Sequence, residues 1–308
     1  MSVGIAATCP ARIPRATRSI ALKSSRAGST RTTTVTPQFY YDEGAMVKAA
    51  VVTSPANPLL KEVRRAVHRG TLTTDGLLVA ETFHLLEEAL RSDLPVPAVI
   101  AAERVRSAVE THIRGLRGIR LTVVPDDLFD TLGSAESAQG VIALVRLPEW
   151  KLEQLFSGTP LVIVLDGVQD PGNAGAIVRA AEAFGASGLL FLKGAVSPFN
   201  AKAVRASAGS LFRLPFLTGL DADLAKAAFR QRRLRLYAAD PRGTIPLNRA
   251  DLRVPAALLI GSEAHGLSGA LANGCQRLRI PTRGVESLNA ALAAGVLLYE
   301  ASRQRTRA

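Results

Sequence analysis

The stretch "LVIVLDGVQDPGNAGAIVRAAEAFGA", Leu161 to Ala186, decides the fold. Its first five residues are apolar without a break, which describes a strand covered on both faces, because a strand with one wet face alternates apolar and polar. A polar loop follows, and then an Ala-, Ile- and Val-rich helix. Strand, loop and helix in this order are the repeating unit of a parallel α/β sheet. In the loop, Gly172 and Gly175 flank Asn173 and are expected to let the backbone turn sharply and come close to a ligand. Arg179 lies one to two turns inside the helix and can point back toward the loop, so a phosphate or a carboxylate suits this spot.

The same unit recurs downstream. "GLLFLKG" (Gly188–Gly194), "LRLYAAD" (Leu234–Asp240), "ALLIGSE" (Ala257–Glu263) and "QRLRIP" (Gln276–Pro281) read as strands alternating with helices. Open parallel sheets bind ligands at the carboxyl ends of their strands, and three suggestive loops lie at such ends. The first is that of Asn173. In the second, "LIGSEAHGLSG" (Leu259–Gly269), Gly261 ends a strand and offers bare backbone to a ligand, while Glu263 either binds hydroxyls, polarises an arginine, or caps the next helix. In the third, "IPTRGVESLNAALAAGVLLYE" (Ile280–Glu300), Pro281 enforces an extended exit, Gly284 relaxes the turn and Ser287 offers a hydroxyl at the expected start of the last helix. Leu288, Leu292, Gly295, Val296 and Tyr299 share one face of that helix, a packing face suited to a second subunit.

Upstream of Leu161 the pattern is a smaller α/β unit. "SPANPLLKEVRRAVHRG" predicts a helix capped by Asn57, with Pro58 in its first turn and Gly70 as the stop. Lys61, Arg64, Arg65 and His68 fall together on one face, able to grip phosphates or simply to face solvent. Strands follow at Gly76–Glu81, Ala98–Glu103, Arg120–Pro125 and Gly140–Leu147. "PEWKLEQLFSGTP" (Pro148–Pro160) reads as a linker. Residues 1–45 are rich in Ser, Thr, Ala and Arg and read as a disordered tail, an organellar transit peptide, or sequence ahead of a true start at Met46.

A chain of 308 residues, 47% hydrophobic, can bury the cores of two domains. The longest apolar runs fall far short of the roughly 20 residues that span a bilayer, so a soluble cytoplasmic protein is expected, organellar only if the tail is a transit peptide. The formal charge is +12, about half of it carried by five Arg and one Lys in the first 41 residues, a balance that suits a polyanionic partner or plain solubility. Cys9 and Cys275 are too few for a disulfide framework, and the four histidines show no ligand spacing, so no metal is expected. The Asn173 loop does not match G-x-G-x-x-G, and about 20 residues on, where an acidic ribose ligand belongs, the chain reads "FLKG", which disfavours a nicotinamide-dependent oxidoreductase.

Taken in order, the three loops resemble the signature motifs of the SpoU (TrmH-type) branch of the SPOUT superfamily, RNA ribose 2′-O-methyltransferases that use S-adenosylmethionine. The first motif is matched by Asn173, Gly175 and Arg179, the second by Gly261, Glu263 and Gly266, the third by Ile280, Pro281, Gly284, Ser287, Leu288 and Asn289. "NAKAVRASAGSLFRLP" (Asn200–Pro215) is a further match. Residues 46–147 resemble the ribosomal-protein-like substrate-binding domain often fused ahead of this catalytic domain, with Glu81-Thr82 where relatives commonly have Glu-Gly. Thr282 stands where Met is usual, and the third loop is one residue shorter than usual.

The resemblance implies a trefoil-knotted parallel-sheet domain over 160–308, joined through 148–159 to a smaller N-terminal α/β RNA-binding domain at 46–147. It implies S-adenosylmethionine as cofactor, held by Gly261, Ile280, Leu288, Ser287 and Asn289, largely through backbone groups. Arg179, Asn173 and Glu263 become the catalytic candidates; Lys61, Arg64, Arg65 and His68 become RNA-binding candidates. A homodimer is implied, with ribosomal RNA of the 23S type favoured over transfer RNA. A rival is a non-catalytic RNA-binding ribosome assembly factor of the same fold.

Overall fold

Asn57 starts the first helix as its spacing predicts. Its side-chain oxygen accepts from the Leu59 amide at 2.9 Å, Pro58 takes the first helical position, and Gly70, at φ 60°, closes the helix in the left-handed conformation. The computed structural model describes residues 49–133 and 139–306, so the readings of residues 1–45 fall outside the described residues. The described residues all belong to one compact unit.

Five strands build the N-terminal sheet: β1 (Ala49–Val51), β2 (Leu77–Glu81), β3 (Ala98–Ala102), β4 (Arg120–Val124) and β5 (Val141–Arg146), in the order β1-β4-β3-β5-β2. Pairs β1–β4 and β3–β4 are parallel, while β5 runs antiparallel between β3 and β2. Helices α1 (Pro58–Arg69), α2 (Phe83–Arg91), α3 (Arg106–His112) and α4 (Asp126–Asp130) cover it. Strand β1 went unpredicted because three residues at an edge carry no periodic signal.

Seven parallel strands form the C-terminal sheet: β6 (Leu161–Asp166), β7 (Gly188–Leu192), β8 (Phe216–Leu220), β9 (Arg235–Ala239), β10 (Ile245–Pro246), β11 (Ala256–Gly261) and β12 (Gln276–Arg279). Their order is β10-β12-β9-β11-β6-β7-β8. The apolar run Leu161–Leu165 is the reason for β6's central place. Leu161, Ile163 and Leu165 face one layer with α5 (Pro171–Ala183) and α9 (Ala290–Thr306), while Val162 and Val164 face the other with α7 (Ala222–Gln231) and α8 (Gly269–Ala272). The α6 helix (Ala201–Ser207) packs on α5, the crossing so close that a Cβ at Gly175 would collide with Ala203 and Ala206. Strands β8 and β10 also escaped the sequence reading: "FLTGL" alternates weakly and its Thr218 and Gly219 are exposed, and β10 has only two residues.

Two expectations change here. Residues 148–159 are no loose linker, since a 3-10 turn at Leu152–Phe156 buries Leu155 and Phe156 against β7 and the layer behind it. Nor are the two sheets independently cored. One face of β2, β3 and β4, through Leu78, Ala80, Val99, Ala101, Leu121 and Val123, shares a continuous apolar cluster with α5, α6 and α9. Among the described residues, no helix is long and apolar enough to cross a membrane.

Candidate functional site

At the carboxyl ends of β6, β11 and β12 the three loops named from sequence meet. The β11 loop closes on itself: the amides of Ser262 and Gly266 exchange hydrogen bonds with each other's carbonyls at 3.0 and 2.9 Å, and the His265 amide donates to Ser262 Oγ. This tight loop presses back on the strand end. A Cβ at Gly261 would overlap the backbone of Gly266 and Leu267, so the bare backbone expected to meet a ligand meets the protein's own loop. From this loop Glu263 extends toward the other two.

Glu263 is the shared acceptor. Its Oε1 accepts from Asn173 Nδ2 at 2.9 Å, from Asn289 Nδ2 at 3.3 Å and from the Ala290 amide at 3.4 Å, while Asn289 Nδ2 also donates to Asn173 Oδ1 at 3.0 Å. Asn289 turns its own Oδ1 to the amides of Ala291 and Leu292, and so caps α9. The expectation that Ser287 begins that helix is corrected: α9 starts at Ala290, and Ser287 lies exposed in the loop before it. Asn173 sits in the first turn of α5, positioned by Asp170, whose carboxylate accepts the Asn173 amide at 2.7 Å. That hydrogen bond, with Lys202 nearby, holds the Asp170 carboxyl below the usual carboxylate range. Gly172 and Gly175 lie within α5, with no positive φ; the turn before the helix falls to Gly167, at φ 71°.

Beside this cluster lies a cavity of about 850 Å³. Of the residues expected to hold the cofactor, Gly261, Ile280, Ser287 and Leu288 line it, joined by Glu263, a catalytic candidate, whereas Asn289 stands outside the lining with Asn173. Ile260, Leu267, Leu278, Ile280 and Leu288 supply apolar wall; Ser262, Asp240 and Arg277 supply polar groups. The volume and mixed lining suit a drug-sized ligand. Sequence reasoning missed Asp240, which Arg277 engages at 3.1 Å, and Asp166, a buried carboxylate that accepts the Ser268 amide at 2.7 Å and so anchors the return of the β11 loop. Both carboxylates follow apolar strand runs, a signal that was available.

Arg179 stands apart. It is on the exposed side of α5, six residues or about 9 Å of helical rise beyond Asn173, and outside the cavity lining. Among the described residues its side chain has neither a hydrogen bond nor an ion pair. On α1, Lys61 and His68 are exposed, but Arg64 donates to the carbonyl and hydroxyl of Thr131 and Arg65 is engaged by Glu62 and Thr74, so half of the expected cationic face is tied to its own domain. Leu292 and Tyr299 of α9, both 56% exposed, leave the last helix with an apolar outer face. No group of three His, Cys, Asp or Glu among the described residues could hold a metal ion.

Comparison with known proteins agrees with this geometry. Residues 160–299 match the model of the SpoU rRNA methylase family. A tRNA/rRNA methyltransferase of Synechocystis sp., itself uncharacterised, is 33% identical over 83% of this chain and 94% of its own length. The 23S rRNA (guanosine-2′-O-)-methyltransferase RlmB of Xylella fastidiosa is 37% identical over 62% of this chain and 80% of its own. Among solved structures, the SpoU methyltransferase AviRb of Streptomyces viridochromogenes, in complex with S-adenosylmethionine, superposes with a TM-score of 0.74 at 30% identity, covering 81% of this chain and 98% of that one.

Proposed function

This chain belongs to the SpoU rRNA methylase family and is an S-adenosylmethionine-dependent RNA methyltransferase, and we propose that its acceptor is a ribose 2′-hydroxyl of 23S-type ribosomal RNA. The observation that carries the reading is the convergence of Asn173, Glu263 and Asn289, from three separate loops, on the edge of the 850 Å³ cavity.

The cavity fits the cofactor in size and chemistry. Ile260, Leu267, Leu278, Ile280 and Leu288 give an apolar slot for an adenine ring, and Gly261, Ser262 and Ser287 bring backbone and hydroxyl groups for its polar edges. Bound there, S-adenosylmethionine supplies an electrophilic methyl group. The chain's own task is to orient the ribose and ease a proton from a weakly acidic oxygen. Glu263, fixed by two asparagines, sets the geometry of the mouth. A guanidinium makes a poor base, so the part of Arg179 is electrostatic: it steadies the developing alkoxide or holds the adjacent phosphate.

Arg179 lies off the cavity of its own chain, and the outer face of α9 is apolar; together these support a homodimer in which the site is completed between subunits. The trefoil knot belongs to the same reading, supported by the insertion of β12 between β9 and β10. Residues 46–147 act as the RNA-binding half, with the exposed Lys61 and His68 of α1 facing the RNA and Arg64 and Arg65 as supports, residues 148–159 as the join and 160–308 as the methyltransferase. The reading places the protein in the cytoplasm, where ribosomal RNA is made. The departures at Thr282 and in the loop length favour one rival, an assembly factor that binds RNA without turnover.

The test is transfer of tritiated methyl groups to unmodified ribosomal RNA and transfer RNA offered separately. Label entering only ribosomal RNA, as an alkali-resistant dinucleotide, is the expected outcome. Label in transfer RNA alone would move the substrate class, and none in either RNA despite cofactor binding would favour the assembly factor.

A further inference from the structure

Glu81, only 1% exposed, closes β2 of the N-terminal sheet, and its Oε2 receives Arg205 Nη1 of α6 at 2.5 Å from 124 positions away. A second bridge lies beside it. Arg213 donates to Glu88 at 2.7 Å and Ser92 at 3.1 Å, both at the α2 end of the N-terminal half, and at 2.6 and 3.0 Å to the two oxygens of Glu182 on α5. Backbone approach leaves no slack around these pairs. A Cβ at Gly209 would strike Glu88, and one at Gly70 would press on the Asn200 backbone. The α6 helix in turn meets α5 at Gly175, and α5 carries Asn173 and Arg179.

Stability alone does not explain this arrangement. The halves already share an apolar cluster, and buried ion pairs seldom stabilise a fold more than apolar residues of the same size would. What the two guanidinium groups add is orientation, since Arg213 forks onto Glu88, Ser92 and Glu182 at once and Arg205 holds the buried Glu81 beside it. We propose that Arg205 and Arg213 are positioning residues for RNA methylation, clamping the N-terminal sheet at one setting relative to Arg179. The clamp makes the enzyme a ruler: an RNA is methylated efficiently only when the element held by the N-terminal half and the target ribose are separated by that fixed span. The selectivity rests on the methyltransferase reading; the clamp itself does not.

Two measurements on the full chain test it. In the first, intact in vitro-transcribed 23S ribosomal RNA and short random fragments of it compete for methyl transfer. Arg213→Gln is expected to raise KM for intact RNA about tenfold while leaving kcat, KM for the cofactor and kcat/KM on fragments unchanged, so the preference for intact RNA collapses. Equal losses on both RNAs, or an undiminished preference, overturn the proposal. In the second, spin labels at Ser107→Cys and Leu224→Cys, with Cys9 and Cys275 replaced by Ser, report the distance between the halves. A single narrow distribution that broadens in Arg205→Met/Arg213→Gln is expected; unchanged width in that variant, or a broad distribution in the parent, refutes the clamp. If the parent transfers no methyl group to any RNA, the substrate reading and the ruler fall together, while the distance width still decides the clamp.

Discussion

Asn173 Nδ2 donates to Glu263 Oε1 at 2.9 Å, joining two loops 90 positions apart in the chain. Because Asn289 and the Ala290 amide share the same oxygen, Glu263→Ala strips an acceptor from all three at once. Losing such charge-assisted bonds costs about 1–3 kcal/mol, so turnover is expected to fall on the order of tenfold to hundredfold at saturating cofactor. Steady-state kinetics beside a thermal melt checks this. A melt shifted by an equivalent energy would mean that Glu263 holds the loops together and does no more.

Gly175 is expected to be irreplaceable even by Ala. A methyl group there meets the Ala203 carbonyl and the Ala206 side chain, with backbone on the opposing side, so α5 and α6 must part. Overpacking of this kind costs about 1–3 kcal/mol. The urea midpoint of Gly175→Ala measures it, and an unchanged midpoint would show that the crossing is looser than described.

Thr82 holds φ 127° and ψ 151°, a conformation that glycine adopts freely and a β-branched residue adopts at a cost of about 1–3 kcal/mol. Thr82→Gly removes that strain but loses the hydroxyl that accepts the Leu85 amide, a few tenths, and adds about 0.4–1 kcal/mol of unfolded-chain entropy. The net expectation is a gain of about 1 kcal/mol, read as a higher urea midpoint; a lower midpoint would place the strain elsewhere.

Glu62 carries a pH signature. Hydrogen bonds from the Arg65 guanidinium first, then from Thr74, hold its carboxyl down to about 2, against an ordinary value of 4.5. A depressed folded-state value means the contribution is complete above about 4.5 and is lost as pH falls toward 2. With the side chain 27% exposed, screening reduces it to the order of 1 kcal/mol. Glu62→Gln is therefore expected to flatten the acid limb of the stability profile; an unaltered limb would contradict this assignment.

Much of this architecture could be read from the chain. The runs at Leu161, Gly188 and Ala257 became parallel strands because residues buried on both faces leave an unbroken apolar signal, while those at Leu234 and Gln276 became strands with exposed Arg235, Gln276, Arg277 and Arg279 beside their buried residues. The site was legible as loop chemistry at strand ends, but the reading of Glu263 as a cap of the next helix is not met: α8 has no side-chain cap bond, and Glu263 instead accepts the Ala290 amide at the start of α9. What escaped depends on long-range packing. That Gly175 makes room for α6 and that Gly261 makes room for its own loop follow from backbones meeting in the fold, which no local pattern records. The clamp at Glu81 and Arg205 was hidden for the same reason. The Asn289 cap, by contrast, is a local bond to the Ala291 and Leu292 amides that the reading of Ser287 passed over.

Arg179 is the residue on which the account turns, exposed on α5 and bound to no other described side chain. The most direct measurement is single-turnover methyl transfer to 23S ribosomal RNA by Arg179→Ala, with cofactor affinity measured by calorimetry on the same preparation. Cofactor binding within about twofold of the parent and a methyl-transfer rate lower by roughly a thousandfold are expected, the scale set by removal of a group that stabilises transition-state charge. Transfer at the parental rate would contradict it and take the chemistry away from the first loop.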